Sequence, residues 1–377
     1  MTTNHLTEIH KYGQSVWMDN LSRDAIQSGQ LADMVKTKGI RGITSNPAIF
    51  ENAIAGNAIY DPAIAKGIKA RKSVQEIYES LVFEDIQNAA DILREVFDAS
   101  AGKDGYVSIE VSPYLANDTE GTIDEAMRFW TALDRPNIMI KIPGTDAGFS
   151  AVEQVIRAGI PVNITLLFSI ADYEKTAWAY IRALETRAAQ GEHVKIASVA
   201  SFFLSRIDRK IDDRLDARIK GAISDAERKN LESFKGKVAI TNAKLAYQRF
   251  KEILTSDRWQ ALKAKGAMEQ RLLWASTSTI NPTYSDVMYV DNLVGTNTVN
   301  TMPPETIFAC LDHCDVDDRI EIDLDVAKQV IANVTAIGID IEQIMFELQI
   351  EGVDKFVKPF ASLMNSLASK IRQLTPA

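Results

Sequence analysis

The sequence predicts an α/β protein, a (β/α)8 barrel with extra helices and a helical C-terminal extension. Short apolar runs alternate with amphipathic helical stretches along the chain, a pattern that indicates βαβ units and a parallel sheet. There are eight such runs, which fits a closed barrel better than an open sheet. The length of 377 residues is also compatible with one barrel carrying insertions.

The predicted strands are short apolar runs, several of which end in polar residues. They are Val16–Met18, Gly42–Asn46, Tyr106–Ser112, Ile138–Pro143, Val162–Phe168, Lys195–Leu204, Arg271–Thr277 and, with the weakest pattern, Thr298–Met302. The amphipathic segments between them include Ile123–Leu133, Tyr173–Ala189 and Arg206–Ile219. The longer intervals after Asn46 and after Leu204 leave room for extra helices.

Beyond Met302 the pattern becomes helical to the end of the chain. Apolar residues recur at helical spacing from Ile341 to Leu367, which predicts helices that pack over the barrel. The chain shows no internal repeat, low-complexity tract or evident linker. We therefore expect residues 1–377 to form a single domain, with a C-terminal helical decoration over about residues 303–377.

Composition and charge limit the classes of partner. The formal net charge is −9, which disfavours a nucleic-acid binder because such a domain normally carries a basic patch. The negative net charge does not exclude small anionic substrates, since a few local cations are enough to bind a phosphate. No basic start followed by an apolar run and no membrane-spanning apolar stretch is evident. We expect a cytoplasmic protein that binds neither nucleic acid nor membrane.

The only two cysteines form a cluster with a histidine, as Cys310, His313 and Cys314. Two cysteines provide no disulfide framework. The cluster has helical spacing and no second ligand pair nearby, so we interpret it as helix packing and expect no metal site.

Alternation within the predicted strands places several polar side chains inside the barrel. In Ile138–Pro143 the isoleucines share one face, and Lys141 lies on the opposite, inward face. The same parity directs Glu110, Asn163 and Thr165 inward. Four further polar residues lie at or near the ends of other strands: Asp19, Asn46, Ser201 and Ser276. All lie toward C-terminal strand ends, where barrel enzymes carry their chemistry.

Lys141 is the residue whose predicted position is hardest to explain by packing. A lysine inside an apolar strand is costly unless it is paired or neutral. Burial favours the neutral amine, which is the form that attacks a carbonyl. The structural alternatives are a lysine that reaches solvent and one that pairs with Glu110 only for stability. Because Glu110, Asp19 and Thr165 converge on the same end, we favour a nucleophilic role.

Five short motifs extend over most of the chain. They are Trp17-Met18-Asp19, Thr44-Ser45-Asn46-Pro47, Ile109-Glu110-Val111-Ser112, Ile140-Lys141-Ile142-Pro143-Gly144-Thr145 and Asn163-Ile164-Thr165-Leu166-Leu167-Phe168. In order and spacing they resemble the transaldolase family. The length, the Lys-Ile-Pro-Gly-Thr motif and the helical C-terminus are similar to the longer bacterial subgroup.

The resemblance implies transfer of a dihydroxyacetone unit from sedoheptulose 7-phosphate or fructose 6-phosphate to glyceraldehyde 3-phosphate or erythrose 4-phosphate, in the non-oxidative pentose phosphate pathway. Lys141 would form a Schiff base with the donor. Asp19 would take the proton from the C4 hydroxyl and later return it. Glu110 and Thr165 would hold a water that shuttles protons while the imine forms. The protonated imine is itself the electron sink, so the resemblance implies no metal or cofactor.

The resemblance also implies a set of substrate-binding residues. Asn46 and Asn163 would hydrogen-bond the dihydroxyacetone unit. Four further residues match family positions, Ser201 and Phe203 lining the site and Arg206 and Ser276 holding the sugar phosphate.

The phosphate site departs from the family pattern. Transaldolases often place a second cation in the seventh-strand segment, but Ala275–Pro282 contains no lysine or arginine. Ser205 and Asp208 have capping-box spacing, which predicts that Arg206 lies at a helix start near the barrel mouth.

Two other functions remain open from the sequence. One is another Schiff-base aldolase that releases free dihydroxyacetone instead of transferring it. The other is a catalytically silent barrel that binds sugar phosphate, which would require loss of the lysine or its proton relay. The sequence does not define the oligomeric state, and a homo-oligomer is compatible with it.

Overall fold

The computed structural model describes residues 4–375 and forms a (β/α)8, or TIM, barrel. Eight parallel strands pair in chain order, and the first pairs with the last to close the barrel. The strands are β1 (Gln14–Asp19), β2 (Gly42–Thr44), β3 (Tyr106–Glu110), β4 (Ile138–Pro143), β5 (Val162–Leu167), β6 (Ser198–Phe203), β7 (Arg271–Ala275) and β8 (Thr298–Met302). The predicted fold class is confirmed.

Helices surround the barrel and extend it at three places. They are α1 (His5–Lys11), α2 (Arg23–Gln27), α3 (Gln30–Asp33), α4 (Pro47–Ile54), α5 (Asp61–Lys69), α6 (Val74–Ala99), α7 (Thr119–Leu133), α8 (Asp146–Arg157), α9 (Ile170–Ala189), α10 (Ser205–Lys220), α11 (Asp225–Glu232), α12 (Val238–Leu254), α13 (Asp257–Lys263), α14 (Met288–Asn292), α15 (Pro304–His313), α16 (Leu324–Ala336) and α17 (Ile341–Leu374). A π-helix covers Met34–Lys38, and 3₁₀ turns cover Ala58–Tyr60 and Pro113–Leu115. The extra helices follow β2, β6 and β8, as expected. In the described part of the chain, no helix combines the length and apolarity that crossing a membrane requires.

Five strands are shorter than the sequence predicts, including β3, which ends at Glu110, and β5, which ends at Leu167. β2 ends at Thr44 because Asn46 begins the next helix as its N-cap. β7 ends at Ala275 because Ser276 has a φ of 54°, outside the extended region. β6 begins at Ser198, not at Lys195. Apolar runs continue past the strand ends because the adjoining turns are buried too.

Helix α17 crosses the C-terminal mouth of the barrel. Its buried face includes Phe356 and Phe360, and the ring of Phe360 makes an edge contact with Tyr78 at 5.4 Å between centroids. A Cβ on Gly352 would lie 2.8 Å from Cδ2 of Leu166, so glycine permits the close approach of the helix to β5. This position brings side chains of α17 near those at the strand ends.

Candidate active site

Lys141 lies at the centre of the polar cluster inside the barrel. It is only 5% exposed, and its Nζ donates a hydrogen bond to the carbonyl of Ser45 at 3.1 Å. Its Nζ also lies 3.6 Å from Oε2 of Glu110 and 5.6 Å from the ring centroid of Phe356. The amine is therefore buried, held by two groups and covered by an aromatic ring.

Glu110 lies beside Lys141, because the two are paired in the register of β3 and β4. It is 8% exposed, and among the described residues neither carboxylate oxygen has a hydrogen-bond partner. Burial raises the pKa of Glu110 to about 7, although the charge of Lys141 opposes the rise. A carboxyl group with this pKa can give and take a proton near neutral pH.

Asp19 ends β1 on the same side of the barrel. Its carboxylate accepts a hydrogen bond from the hydroxyl of Thr44, its register partner on β2. The Thr44 hydroxyl in turn contacts that of Thr301 at 2.7 Å. Burial raises the pKa of Asp19, and the charge of Lys141 and the Thr44 hydrogen bond oppose the rise. The two carboxylates therefore have different environments.

Three polar side chains of β5 and β6 complete the inner cluster. Asn163 donates to the Ser108 hydroxyl at 3.0 Å and accepts from the Ser201 hydroxyl at 2.6 Å. Together the two bonds fix the orientation of the Asn163 amide. The hydroxyl of Thr165 is fully buried and has no hydrogen-bond partner in the stretch that the structure describes. It can therefore bind a water or a substrate oxygen.

Asn46 has a structural task that the sequence did not indicate. Its side chain caps α4 by accepting a hydrogen bond from the backbone N–H of Ile49 at 3.1 Å. An asparagine at an N-cap uses only its amide oxygen. The amide nitrogen is not used by the cap and can donate to another group.

Arg206, Phe203 and Ser276 form a second group at the mouth. Arg206 is the second residue of α10, and its guanidinium carbon lies 5.1 Å from the ring centroid of Phe203. Its Nη1 is buried without a hydrogen-bond partner among residues 4–375. The carbonyl of Ser276 accepts the N–H of Ser205 at 3.2 Å. The left-handed backbone of Ser276, with φ 54°, is of the strained kind that concentrates at functional sites.

The predicted capping box at the start of α10 is wrong. The N-cap is Leu204, which makes no side-chain cap bond. The carboxylate of Asp208 instead accepts the N–H of Ala239 at 2.8 Å and the hydroxyl of Tyr289 at 2.9 Å. The Asp208 side chain is used in this buried hydrogen-bond network, so it does not cap the helix as its spacing from Ser205 predicted. Arg206 nevertheless lies at the helix start, as expected.

The cysteine–histidine cluster does not converge on one point. Cys310 and Cys314 are buried, whereas the exposed His313 bonds Asp286 at 2.8 Å and Asp312 at 3.1 Å. No group of three or more histidine, cysteine, aspartate or glutamate side chains suited to a metal occurs in residues 4–375.

Three contacts of the inner cluster were missed by reasoning from the sequence. The Ser45 carbonyl holds the lysine, Thr44 holds Asp19, and Phe356 covers the amine. Thr44 and Ser45 lie within a motif beside Asn46, so a search of whole motifs could have included them. Phe356 has no such signal, because its helical spacing predicts only that it packs.

Comparisons with known proteins identify the family of the chain. The model of the family described as Transaldolase/Fructose-6-phosphate aldolase matches residues 16–367. A protein named transaldolase from Trichodesmium erythraeum is 62% identical over the full length of both chains, and transaldolase 2 from Nostoc punctiforme is 61% identical over the full length of both chains. A transaldolase from Neisseria gonorrhoeae is 42% identical, over 96% of this chain and 99% of its own. The chain belongs to the transaldolase/fructose-6-phosphate aldolase family.

Proposed function

We propose that the chain is a transaldolase, which transfers a dihydroxyacetone unit from a ketose phosphate to an aldose phosphate through a Schiff base on Lys141. The observation that carries this proposal is the buried amine of Lys141, 3.6 Å from a carboxylate with no hydrogen-bond partner in the described chain. Such an amine is positioned to attack a ketone, and the neighbouring carboxylate is positioned to move the protons that imine formation requires.

Glu110 and Thr165 serve imine formation in this proposal. Glu110 lies beside Lys141 in the strand register, and Thr165 follows two residues after Asn163, the register partner of Lys141 on β5. Both offer buried oxygens without hydrogen-bond partners in residues 4–375. A water between them would take the proton from the attacking amine and deliver one to the leaving hydroxyl.

Asp19 serves carbon–carbon bond cleavage. It takes the proton from the C4 hydroxyl of the bound donor while electrons flow into the protonated imine, and it returns a proton when the new bond forms. The Thr44 hydroxyl holds its carboxylate in place. Asn46 and Asn163 then bind the dihydroxyacetone unit, Ser201 fixes the Asn163 amide and Phe203 lines the site.

Arg206 and Ser276 bind the phosphate of the substrate. The guanidinium has a buried nitrogen without a partner in the described residues, and an arginine binds phosphate oxygens in a fork geometry. We further propose that residues 1–377 act as one domain, because α17 supplies Phe356 to the nucleophile. A cytoplasmic location and a homo-oligomeric state stay predictions.

Replacing the nucleophile tests the proposal. Lys141→Ala should abolish both transfer and borohydride trapping of fructose 6-phosphate, because no other described lysine is held in the inner cluster. Mass spectrometry of the reduced wild-type protein should find the adduct on Lys141. Lys141→Arg should fail equally, since a guanidinium stays protonated and cannot attack. A reducible adduct that persists in Lys141→Ala would contradict the assignment.

Product analysis separates transfer from simple aldol cleavage. With fructose 6-phosphate and an aldose phosphate acceptor, we expect a new ketose phosphate in stoichiometric yield with the donor consumed. Without acceptor we expect the adduct to accumulate. Release of free dihydroxyacetone at the same rate in both reactions would identify an aldolase instead.

A further inference from the structure

Helices α10 and α17 are joined by a row of charged side chains. Nζ of Lys210 lies 2.8 Å from Oε2 of Glu347, and it also pairs with Glu351. One turn further along α10, Arg214 lies 3.8 Å from Glu347. In each of these contacts α10 supplies the cation and α17 supplies the anion.

The same row continues toward the barrel mouth with a different charge pattern. On α10, Arg206 lies one turn before Lys210. On α17, Lys355 lies one turn after Glu351. The antiparallel order of the contacts therefore places Arg206 opposite Lys355. The side chain of Lys355 is exposed, and its pKa is lowered first by partial desolvation and second by the charge of Arg206, which agrees with this proximity. The last pair of the row consists of two cations.

Neither cation of this pair has an anionic partner. Within residues 4–375, no carboxylate lies within 4.0 Å of the charged nitrogens of Arg206 or Lys355, whereas Lys210 has two. Two like charges that face each other are unfavourable, and the neighbouring Glu351 is already paired with Lys210. An anion between them would relieve this repulsion.

The cation pair is also next to the reacting centre. Phe356, the residue after Lys355, lies 5.6 Å from Nζ of Lys141, and Gly352, one turn earlier, packs on Leu166 of β5. Arg206 stacks on Phe203 at the end of β6. A substrate whose carbonyl reaches Lys141 can therefore extend its far end to these two cations.

We propose that Lys355 is the second phosphate-binding cation of this enzyme, supplied by the C-terminal helix in place of the cation that Ala275–Pro282 does not contain. The inference rests on the proposed function. A phosphate monoester carries close to two negative charges at neutral pH, which matches a pair of cations without anionic partners. The substrate phosphate would then connect α10 to α17 at the mouth of the barrel.

The test compares Lys355→Met, which keeps the aliphatic stem, with Lys358→Met as a matched control. Lys358 is an exposed lysine on the same helix with no salt bridge in the described chain. For fructose 6-phosphate we expect Lys355→Met to lower kcat/KM by about 10- to 100-fold, with less than about 2-fold change in Lys358→Met. Inhibition by inorganic phosphate should weaken in Lys355→Met alone, and Lys355→Arg should restore part of both effects.

The readout that distinguishes phosphate binding from general damage is borohydride trapping with fructose, which has no phosphate. Trapping of fructose should be equal in wild type, Lys355→Met and Lys358→Met. Equal kcat/KM for fructose 6-phosphate in the two variants would overturn the proposal, as would a parallel loss for fructose and its phosphate. A wild-type protein that traps neither sugar on Lys141 would instead overturn the proposed function.

Discussion

At the scale of single residues, the site depends on two carboxylates near Lys141, Asp19 and Glu110, that have different hydrogen-bond partners. Both have raised pKa values because of burial, and Lys141 opposes the rise in each. Asp19 has an additional hydrogen bond from Thr44, whereas the oxygens of Glu110 have no hydrogen-bond partner among the described residues. Environments that separate two titratable groups in this way allow one to shuttle protons while the other acts as a base.

We expect Asp19→Asn and Glu110→Gln to affect different steps. Asp19→Asn should form the adduct with fructose 6-phosphate at close to the wild-type rate but cleave it at least about 100-fold more slowly, because only the base for cleavage is lost. Glu110→Gln should instead slow adduct formation, since the proton shuttle is impaired. Single-turnover borohydride trapping measures both. Equal trapping rates in the two variants would refute this division of roles.

The raised pKa of Glu110 also has a consequence for stability. In the folded protein the Glu110 carboxyl has a pKa of about 7, against an ordinary value of 4.5. At pH values between these two pKa values the folded state binds more protons than the unfolded state. The free energy of unfolding therefore falls as pH rises. From about pH 5 to about pH 8, the wild type should lose on the order of 2 kcal/mol more than Glu110→Gln. Urea unfolding at both pH values checks this, and identical losses would exclude the raised pKa.

At the scale of elements, the turn from β4 to α8 positions the nucleophile strand. Thr145 caps α8 by accepting the N–H of Gly148 at 3.0 Å. A Cβ on Gly148 would lie 1.9 Å from the carbonyl oxygen of Pro143, two residues after Lys141. Because that atom belongs to the backbone, it cannot move without displacing the end of β4.

Gly148→Ala should therefore destabilise the protein by roughly 3 kcal/mol, near the upper end for overpacking. Gly221→Ala is the matched control, since the nearest atom to its added Cβ lies at 3.6 Å. We expect the control to change the free energy of unfolding by less than about 0.5 kcal/mol. Urea denaturation of both variants measures the difference. Equal stability would mean that the β4–α8 turn adapts more readily than its geometry indicates.

The sequence predicts the helices and strands better than it predicts which of them pack against each other. Side-chain alternation places Lys141, Glu110 and Asn163 on one face because the period of a strand is fixed at two residues. The same reasoning cannot give the position of α17, because helical spacing identifies a buried face without identifying its neighbour. The contacts of Phe356 and Lys355 with the site depend on that neighbour, so neither residue is identifiable from the sequence. The Asp208 network was missed for the same reason.

At the scale of the whole molecule, one end of the barrel carries the catalytic residues and the other carries a buried ion pair that stabilises the fold. The lysine, its carboxylates and the cations of α10 and α17 lie at the C-terminal mouth. The opposite end carries a buried ion pair, in which Nη2 of Arg271 lies 2.9 Å from Oδ1 of Asp104. The Asp104 carboxylate also accepts a hydrogen bond from the Ser15 hydroxyl at 2.8 Å and one from the Trp17 indole N–H at 3.2 Å. Barrel enzymes commonly separate catalysis and stability in this manner.

This separation predicts that Asp104→Asn impairs folding stability without impairing catalysis. Burial alone would raise the pKa of Asp104, but Arg271 and the hydrogen bonds lower it overall, so the group is charged in the folded state. Its neutralisation leaves the buried guanidinium of Arg271 uncompensated, which should cost about 3–5 kcal/mol. The control Asp98→Asn removes an exposed ion pair with Arg94 and should cost less than about 1 kcal/mol. Urea unfolding measures both losses. In folded Asp104→Asn, borohydride trapping on Lys141 should keep the wild-type rate, and a slowed rate would show that the two ends of the barrel are coupled.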